Sequence, residues 1–414
     1  MGSLVSTSRF SEWPISSLSW GGLLLGASVV LAFADAQAWQ DIYGHKVAGK
    51  RAGLVPGVKE IPKVREFYKS YKGQPDTIIT AEHDGHARFR KIMGPGFSDK
   101  SMKAQEPLIT KYIDLLIQRL HQYSAQGPQN MTNWYNWTTF DVIGDLAFGD
   151  SFKCLEKVES HPFITAIFGS LRHILMFGFL RKGLMFRAFA QKTLKKRIES
   201  YETRPDLIEP LLVRKDEDKY SFGQLAGMAS TLLFAGSETT ASTLTGVTWL
   251  LLSNPAAYEK LKAEVRSAFQ SEDEIDFTSV NSLGYMLACL NESLRLFPPV
   301  AIGLPRRIPA GGATIAGQYV PEGTVVGVYQ WAINRLSSNW NAPDEFIPER
   351  FTGDERFQTD NQALAYVEMR VILARIIWNF DMELAEEGDW LAKQDNHLLW
   401  RRRPLSVRLT PVQR

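Results

Sequence analysis

A carboxylate and a hydroxyl lie side by side within an apolar stretch of the chain, at Glu238 and Thr239. An acid beside an alcohol forms a short path for protons, which is the arrangement that general acid–base catalysis requires. The small residues just before them, Ala235 and Gly236, would let a flat molecule press against the backbone. The alternative is a polar kink in a buried helix whose groups are all satisfied locally. The residues by themselves leave both interpretations open.

A long helix is expected to carry this pair. Between Phe222 and Ser253, apolar residues recur three and four positions apart with almost no charge among them, which predicts a mostly buried helix. At 1.5 Å per residue the helix would extend roughly 45–50 Å, far enough to cross a domain. Pro255 should end it, since proline disfavours helix in the residue before it. A bond from Thr239 to the carbonyl of Ala235 could bend or open it.

Two charged motifs follow in the sequence. Glu292 and Arg295 lie three residues apart in a predicted helix over 285–297, so they share a face and can pair. The segment Pro348-Glu-Arg-Phe351 comes later. With Ala235-Gly-Ser-Glu-Thr-Thr240, these motifs resemble the cytochrome P450 family of haem-thiolate monooxygenases, whose members carry all three in this order. The resemblance covers residues 41–414, and in detail it looks like the filamentous-fungal branch that tailors secondary metabolites.

The resemblance implies an oxygen-activating role for the first motif. Thr239 would hold dioxygen at the haem and Glu238 would help to relay protons, so both are candidate catalytic residues. Ala235 and Gly236 would contact the cofactor.

The resemblance also implies roles for residues in three other parts of the chain. His86 and Arg90 are four residues apart and would hold a haem propionate by charge-assisted hydrogen bonds. Without the resemblance, such a His–Arg pair is most often solvated surface. Glu292, Arg295 and Arg350 would form a buried charge network that is structural rather than catalytic.

The implied function is a haem-dependent monooxygenase that hydroxylates or epoxidises a lipophilic small molecule in fungal secondary-metabolite biosynthesis. Its implied cofactors and partners are haem, dioxygen and an NADPH–cytochrome reductase that supplies electrons. A net charge of +2 gives no reason to expect nucleic acid as a partner.

The axial cysteine of the family has no counterpart in this sequence. The family places it in Phe-x-x-Gly-x-Arg-x-Cys-x-Gly, whereas here 351–360 run directly into 361–370, which resemble the helix that should follow the cysteine. The two cysteines, Cys154 and Cys289, are expected to be buried or incidental thiols. No metal ligand is therefore predicted, and His397 is only a nominal alternative.

Three hypotheses follow from this gap. The chain could be a mis-spliced or mis-translated version of a fungal monooxygenase. It could be a truncated, haem-less non-enzyme, either a pseudoenzyme or a binding protein. It could keep the fold and use another axial ligand. A second missing block is expected between Ala34 and Asp35, where the family has further structure.

The N-terminal region contains a membrane-like segment. Leu18 to Ala34 are seventeen uncharged residues, at the short end for a membrane span. A cleaved signal peptide is the rival interpretation. The resemblance favours a single-pass anchor in the endoplasmic reticulum membrane with the catalytic domain in the cytosol. We therefore expect a region 1–34 with an anchor at about 18–34, followed by a catalytic domain over 35–414.

Composition and pattern predict the fold class. The chain is 44% hydrophobic and 11% aromatic, which allows a large core and argues against disorder. Two cysteines exclude a disulfide framework and fit a reducing compartment. Further helices are expected over 83–97, 107–126, 136–148 and 258–269, and strands over 311–328 and 398–409. The prediction is a mainly α protein with small β-sheets, that is, an incomplete cytochrome P450 fold.

Overall fold

The chain folds mainly into helices, with small sheets at the edges. The computed structural model describes residues 30–44, 53–69, 73–162, 182–200, 203–212, 220–357, 368–396 and 399–413. Its helices are α1 (Ala36–Tyr43), α2 (Arg65–Tyr68), α3 (His83–Met93), α4 (Asp99–Ser124), α5 (Met131–Phe148), α6 (Cys154–Lys157), α7 (Lys182–Glu199), α8 (Glu209–Leu212), α9 (Phe222–Leu252), α10 (Pro255–Ala268), α11 (Gly284–Leu296), α12 (Gln330–Ile333) and α13 (Glu368–Asn379). The predicted fold class, mainly α with small sheets, is confirmed.

The strands are short. They are β1 (Val30–Phe33), β2 (Gln129–Asn130), β3 (Arg306–Arg307), β4 (Ala313–Ile315), β5 (Gln318–Val320), β6 (Val325–Val328), β7 (Phe380–Leu384), β8 (Asp395–Asn396), β9 (Trp400–Arg401) and β10 (Ser406–Pro411). Within the described ranges they form sheets in the orders β1-β6-β3, β2-β10-β7, β4-β5 and β8-β9.

Helix α9 forms as the periodicity predicts. The Ser221 hydroxyl accepts from the Gln224 amide while the Gln224 side chain accepts from the Ser221 amide, which satisfies two otherwise unpaired donors at the helix start. The Thr239 hydroxyl donates to the carbonyl oxygen of Ala235 at 2.7 Å, as predicted. The helix nevertheless remains continuous through this point, so the predicted opening is absent.

Helix α9 packs against α5, whose residues are nearly all buried. A hydrogen bond of 2.7 Å joins the Tyr135 hydroxyl to that of Thr248, so the polar groups between these two helices satisfy each other. Helices α10, α11 and α13 also contact α9, and together they enclose the main hydrophobic core. This packing fixes the position and orientation of the motif around Glu238.

The sheet β1-β6-β3 closes a second, smaller core. Strand β6 is its middle strand, parallel to β1 and antiparallel to β3. The side chains of Val325, Val326 and Val328 are buried, as expected for a central strand covered on both faces.

The predicted membrane anchor over 18–34 is wrong at its C-terminal end. Val30 pairs with Val325 and Phe33 with Val328, so residues 30–33 are a strand of a protein sheet. The remaining part of the prediction, 18–29, lies outside the described residues. In the portions of the chain that the structure describes, no helix has the length and apolarity to cross a membrane.

The missing block expected between Ala34 and Asp35 remains a prediction, and the residues on either side of that point pack together. Asp35 caps α1, because its carboxylate accepts from the amides of Gln37 and Ala38. Phe33 on one side of this cap and Ile42 on the other are buried in the same small core. Strand β1, the cap and α1 therefore form one continuous packed unit.

The boundaries of some elements differ from the sequence prediction. Helix α4 begins at Asp99, eight residues before Pro107, which lies inside it. The Ser98 hydroxyl accepts from the Ser101 amide and so supplies the cap that marks the true start. Helix α5 similarly begins earlier than predicted, at Met131. The strands expected over 311–328 are present as β4, β5 and β6.

The contact between α9 and the end of α11 gives a test of core packing. A Cβ atom at Gly246 would meet the Phe297 ring at 2.5 Å, and that ring is stacked on Trp400. We expect Gly246→Ala to lower the free energy of unfolding by about 1–3 kcal/mol through overpacking, despite the better helix propensity of alanine. Urea denaturation measures this change. Gly284→Ala is the control, because its Cβ would meet no atom within 4 Å. Equal stability of the two variants would contradict the packing.

Candidate active site

One face of α9 is open at the predicted motif. Thr231, Ala235 and Thr239 lie four residues apart and so share a face of the helix. Ala235 is exposed and the two threonines are partly exposed, although the helix crosses the core. The described part of the chain therefore leaves a face of small side chains uncovered at this point. A flat molecule could lie against it, as the sequence analysis expects for Ala235.

Gly236 has a packing role that the sequence analysis did not predict. A Cβ atom at this position would meet the Ile143 side chain of α5 at 3.0 Å. The glycine therefore allows α5 and α9 to approach closely. Its predicted contact with a cofactor remains a prediction.

Glu238 is buried and paired with an arginine. Its side chain is 1% exposed, and its Oε1 accepts from Nη2 of Arg402 at 2.6 Å. Burial raises the pKa of Glu238 above its ordinary value, and the positive charge of Arg402 opposes this rise. A carboxyl group with a raised pKa is better suited to exchange protons near neutral pH. The second oxygen, Oε2, has no hydrogen-bond partner among the described residues, so it is the atom that could take a proton.

The predicted relay is not joined by a direct hydrogen bond. The Thr239 hydroxyl donates to the backbone of its own helix, whereas the Glu238 carboxylate faces Arg402. The two side chains are adjacent in sequence but have different partners. Proton exchange between them would require a bridging molecule or rotation of the Thr239 hydroxyl.

The structure places His86 and Arg90 in a cluster of cationic groups. Burial lowers the pKa of His86, and the charges of Lys63, Arg90 and Arg306 lower it further, while Glu60 opposes them. Lys63 and Arg306 lie on paired backbone segments. His86 thus lies in a positive field, which favours a negatively charged ligand.

Arg306 has an unused donor in this cluster. Its Nη1 donates to the carbonyl oxygen of Ile61 at 3.0 Å, but its buried Nε has no partner among the described residues. Glu60 lies 3.7 Å from Arg306 and neutralises only part of the positive charge. A buried donor without a partner is unfavourable unless a ligand satisfies it. The open face of α9 and this cluster fit, in chemical type, the flat ring and carboxylates of haem.

The two thiols do not fit the axial position. Burial raises the pKa of Cys154, at the start of α6, to about 12. Burial also raises the pKa of Cys289, within α11, well above its ordinary value. Burial therefore favours the neutral thiol at both positions, whereas a metal binds the thiolate. His397 lies outside the described residues. In the described ranges no group of three or more His, Cys, Asp and Glu side chains could hold a metal ion.

Glu292, Arg295 and Arg350 form the charge network that the motifs imply. Arg295 donates to both oxygens of Glu292, at 2.7 and 2.8 Å, and Arg350 donates to Oε1 at 3.2 Å. The amide of Ile347 also donates to this carboxylate. Arg295 further donates to the carbonyl oxygen of Asn334. The network is buried and fixes the segment around Arg350 against α11.

Sequence reasoning missed three charged residues at the site: Arg402, Lys63 and Arg306. The signal for Arg402 was present, since alternation around Trp400 places every second side chain inward. Lys63 and Arg306 come together only through a backbone bridge between distant segments. No local pattern indicates that contact.

The charge network gives a test of stability. Arg350 is 0% exposed, whereas Arg356 in the same segment is 66% exposed and pairs with Asp354 at the surface. Arg350→Met leaves Glu292 with one fewer partner in a buried site, so we expect a loss of about 3–5 kcal/mol in the free energy of unfolding. Arg356→Met is the matched control and should change stability little. Urea denaturation of both variants compares them, and equal losses would contradict the buried role of Arg350.

The state of the two thiols gives a second test. Because burial raises the pKa of both, we expect Cys154 and Cys289 to react slowly with iodoacetamide at pH 8 in the folded chain. Both should react readily in denaturant, which is the control. Mass spectrometry of peptides locates the modification. Rapid modification of either cysteine in the folded protein would show a reactive thiolate and contradict this assignment.

Comparison with known proteins identifies relatives over most of the chain. The model of the cytochrome P450 family matches residues 57–363. The cytochrome P450 monooxygenase tpeC of Talaromyces stipitatus is 44% identical, over 95% of this chain and 83% of the relative. An averantin hydroxylase of Dothistroma septosporum is 41% identical, over 82% and 72%. An averantin hydroxylase of Aspergillus parasiticus is 39% identical, over 85% and 79%.

The alignment with the Talaromyces protein spans 429 residues, more than the 414 of this chain. The relative therefore has residues with no counterpart here. The matched family and these identities cover the central helix, the Glu292 network and most of the core. The chain belongs to the cytochrome P450 family of oxidoreductases.

Proposed function

We propose that this chain carries the substrate and proton-transfer framework of a fungal monooxygenase that hydroxylates or epoxidises a lipophilic small molecule in secondary metabolism. The observation that carries the proposal is the open face of α9 at Ala235 and Thr239, next to the buried acid Glu238. The face is built from small side chains whose hydroxyls donate to the backbone of their own helix, so it suits a flat, apolar molecule. Relatives named as averantin hydroxylases support hydroxylation as the reaction class.

The activity requires a segment that this sequence lacks. When bound, haem would supply the oxygen-activating chemistry of the family, in which a cysteine thiolate holds the iron. The described residues offer it cationic groups and an open face but no thiolate. We infer that a cysteine-containing loop belongs between Phe357 and Glu368. The alignment that exceeds the length of the chain supports such a loss, although it does not locate it.

A haem-less protein is the second candidate function. It is favoured by one observation: the two cysteines, Cys154 on α6 and Cys289 on α11, are both buried in the main hydrophobic core. In that case the open face of α9 would bind a lipophilic molecule without oxidising it. The intact Glu292 network and the continuous α9 agree with either function, because both need the fold.

The partners and location follow from the proposed function. An NADPH–cytochrome reductase would supply electrons, and dioxygen would be the co-substrate. We propose attachment to the endoplasmic reticulum membrane through the N-terminal region, with the catalytic domain in the cytosol. If an anchor exists, it must end before Val30, because β1 is part of the protein sheet.

The native transcript is the first test. Reads across codons 355–365 and upstream of codon 30 show whether further coding sequence is present. We expect an in-frame insert that encodes a Gly-x-Arg-x-Cys-x-Gly loop at the first position. Mature transcripts that match this sequence at both positions would support the haem-less function and contradict the enzyme proposal.

A spectroscopic comparison then tests the role of the loop. The 414-residue chain and a longer chain with the native insert would be reconstituted with haem, reduced and exposed to carbon monoxide. We expect the thiolate–haem absorption band only in the longer chain. The same insert with its cysteine replaced by serine is the matched control. A thiolate band in the 414-residue chain would contradict the proposed loss.

A further inference from the structure

The C-terminal segment reaches the central helix through one side chain. After β9, the chain alternates: Trp400 is buried, Arg401 is exposed, Arg402 points inward and Arg403 is exposed. The Arg402 side chain is 3% exposed. Alternation of this kind is the ordinary pattern of extended backbone, so the inward direction of Arg402 is fixed by the register of the segment.

Arg402 connects three separate parts of the fold. Its Nη2 donates to Oε1 of Glu238 on α9 at 2.6 Å and to Oδ1 of Asn136 on α5 at 2.8 Å. In the described part of the chain, Arg402 is the charged group that faces Glu238. Asn136, the other polar neighbour in this contact, carries no charge.

The contact between the two charges uses only half of their hydrogen-bonding capacity. Oε2 of Glu238 and Nη1 of Arg402 are buried and have no partner among the described residues. A bidentate pair would use both oxygens and would hold the carboxylate more tightly. The single contact places a positive charge at Oε1 and leaves Oε2 able to accept a hydrogen bond or a proton.

Glu238 also lies on the open side of α9. It is three residues after Ala235 and seven after Thr231, so it continues the face that these residues share. That face is exposed at Ala235 and closed at Glu238, where Arg402 covers it. The arginine therefore lies at the covered end of this face.

We propose that Arg402 is a positioning residue that holds Glu238 as an oriented carboxylate beside Thr239, so that the C-terminal segment sets the charge of the acid on the central helix. A buried carboxyl group without a cationic partner would become neutral, because burial disfavours its charged form. A neutral Glu238 could donate a proton but could not take one. The relevance to proton transfer depends on the proposed function, but the ionisation of Glu238 does not.

Infrared spectroscopy of the full chain tests the proposal without turnover. The protonated carboxyl band of Glu238 is identified by its loss in Glu238→Gln, and its titration midpoint is measured against pH. Removing a cation next to an acid commonly shifts its pKa by one to three units. We expect Arg402→Met to raise the midpoint by at least one unit and Arg402→Lys to restore most of the difference. An Arg402→Met midpoint equal to that of the unaltered chain would overturn the proposal.

Arg401→Met is the matched control, because it removes the same charge from the neighbouring exposed position. This variant should leave the titration midpoint of Glu238 unchanged. A shift equal to that of Arg402→Met would show that the effect comes only from the net charge of the protein and would overturn the proposal. Since no haem is involved, the result is separate from the transcript and absorption tests. The proposed function can therefore be wrong while this inference is correct, and this inference can be wrong while the proposed function is correct.

A stability cycle covers the case in which Arg402→Met folds poorly. Removing one partner of a buried pair leaves an uncompensated charge, whereas removing both does not. Adding the free-energy changes of the two single variants gives the stability expected of the Glu238→Gln/Arg402→Met double variant if the side chains do not interact. We expect the measured folding equilibrium constant of the double variant to be at least tenfold more favourable than that value. Additive effects would show that the two side chains do not interact and would overturn the proposal.

Discussion

A long buried helix that carries many polar side chains is stable only if most of its polar groups find partners inside the protein. Helix α9 meets this condition mainly by itself. The hydroxyls of Ser237, Thr239 and Thr245 each donate to a carbonyl oxygen four residues earlier. These bonds leave the helix continuous and allow hydroxyl groups in an apolar core without an unpaired donor. Ser242 Oγ and Trp249 Nε1 are buried without a partner among the described residues. Glu238 is the charged exception, because no group on its own helix can neutralise its charge.

That exception links the central helix to the end of the chain. Arg402 supplies the missing charge and also donates to Asn136, so the contact between α5 and α9 depends on a segment far away in sequence. The Glu292 network works in the same way around Arg350, where one carboxylate collects donors from a helix and a loop. In both places a buried carboxylate determines how irregular backbone packs on regular helices. Replacing either acid therefore affects distant parts of the fold.

Features with a local cause were predictable from the sequence. The limits of α9 follow from apolar periodicity and from the proline after it, and the pairing of Glu292 with Arg295 follows from their spacing on α11. The start of α4 was missed because Pro107 suggested a helix start, whereas the Ser98 cap decides it. The family motifs indicated the fold class because each motif is a short segment whose geometry is set by neighbouring residues.

Features that depend on distant contacts were not predictable. Hydropathy placed 30–33 in a membrane span, because an apolar run has the same composition in a bilayer and in a buried parallel strand. The pairing of β1 with β6 decides between the membrane span and the buried strand. No residue near β1 in the sequence indicates that pairing. The open side of α9, the packing role of Gly236 and the partner of Glu238 are likewise properties of neighbouring helices. Arg402 could be suspected from alternation, but its target could not.

The parallel pairing of β1 with β6 has a consequence for synthesis of the protein. Val30 leaves the ribosome early, but its partner Val325 is made only after most of the chain. At typical elongation rates of about 5–20 residues per second, β1 waits roughly 15–60 s for the strand that completes its sheet. Throughout that interval an apolar strand edge is available to other chains. The small core at the N-terminus therefore cannot assemble until most of the chain has been made.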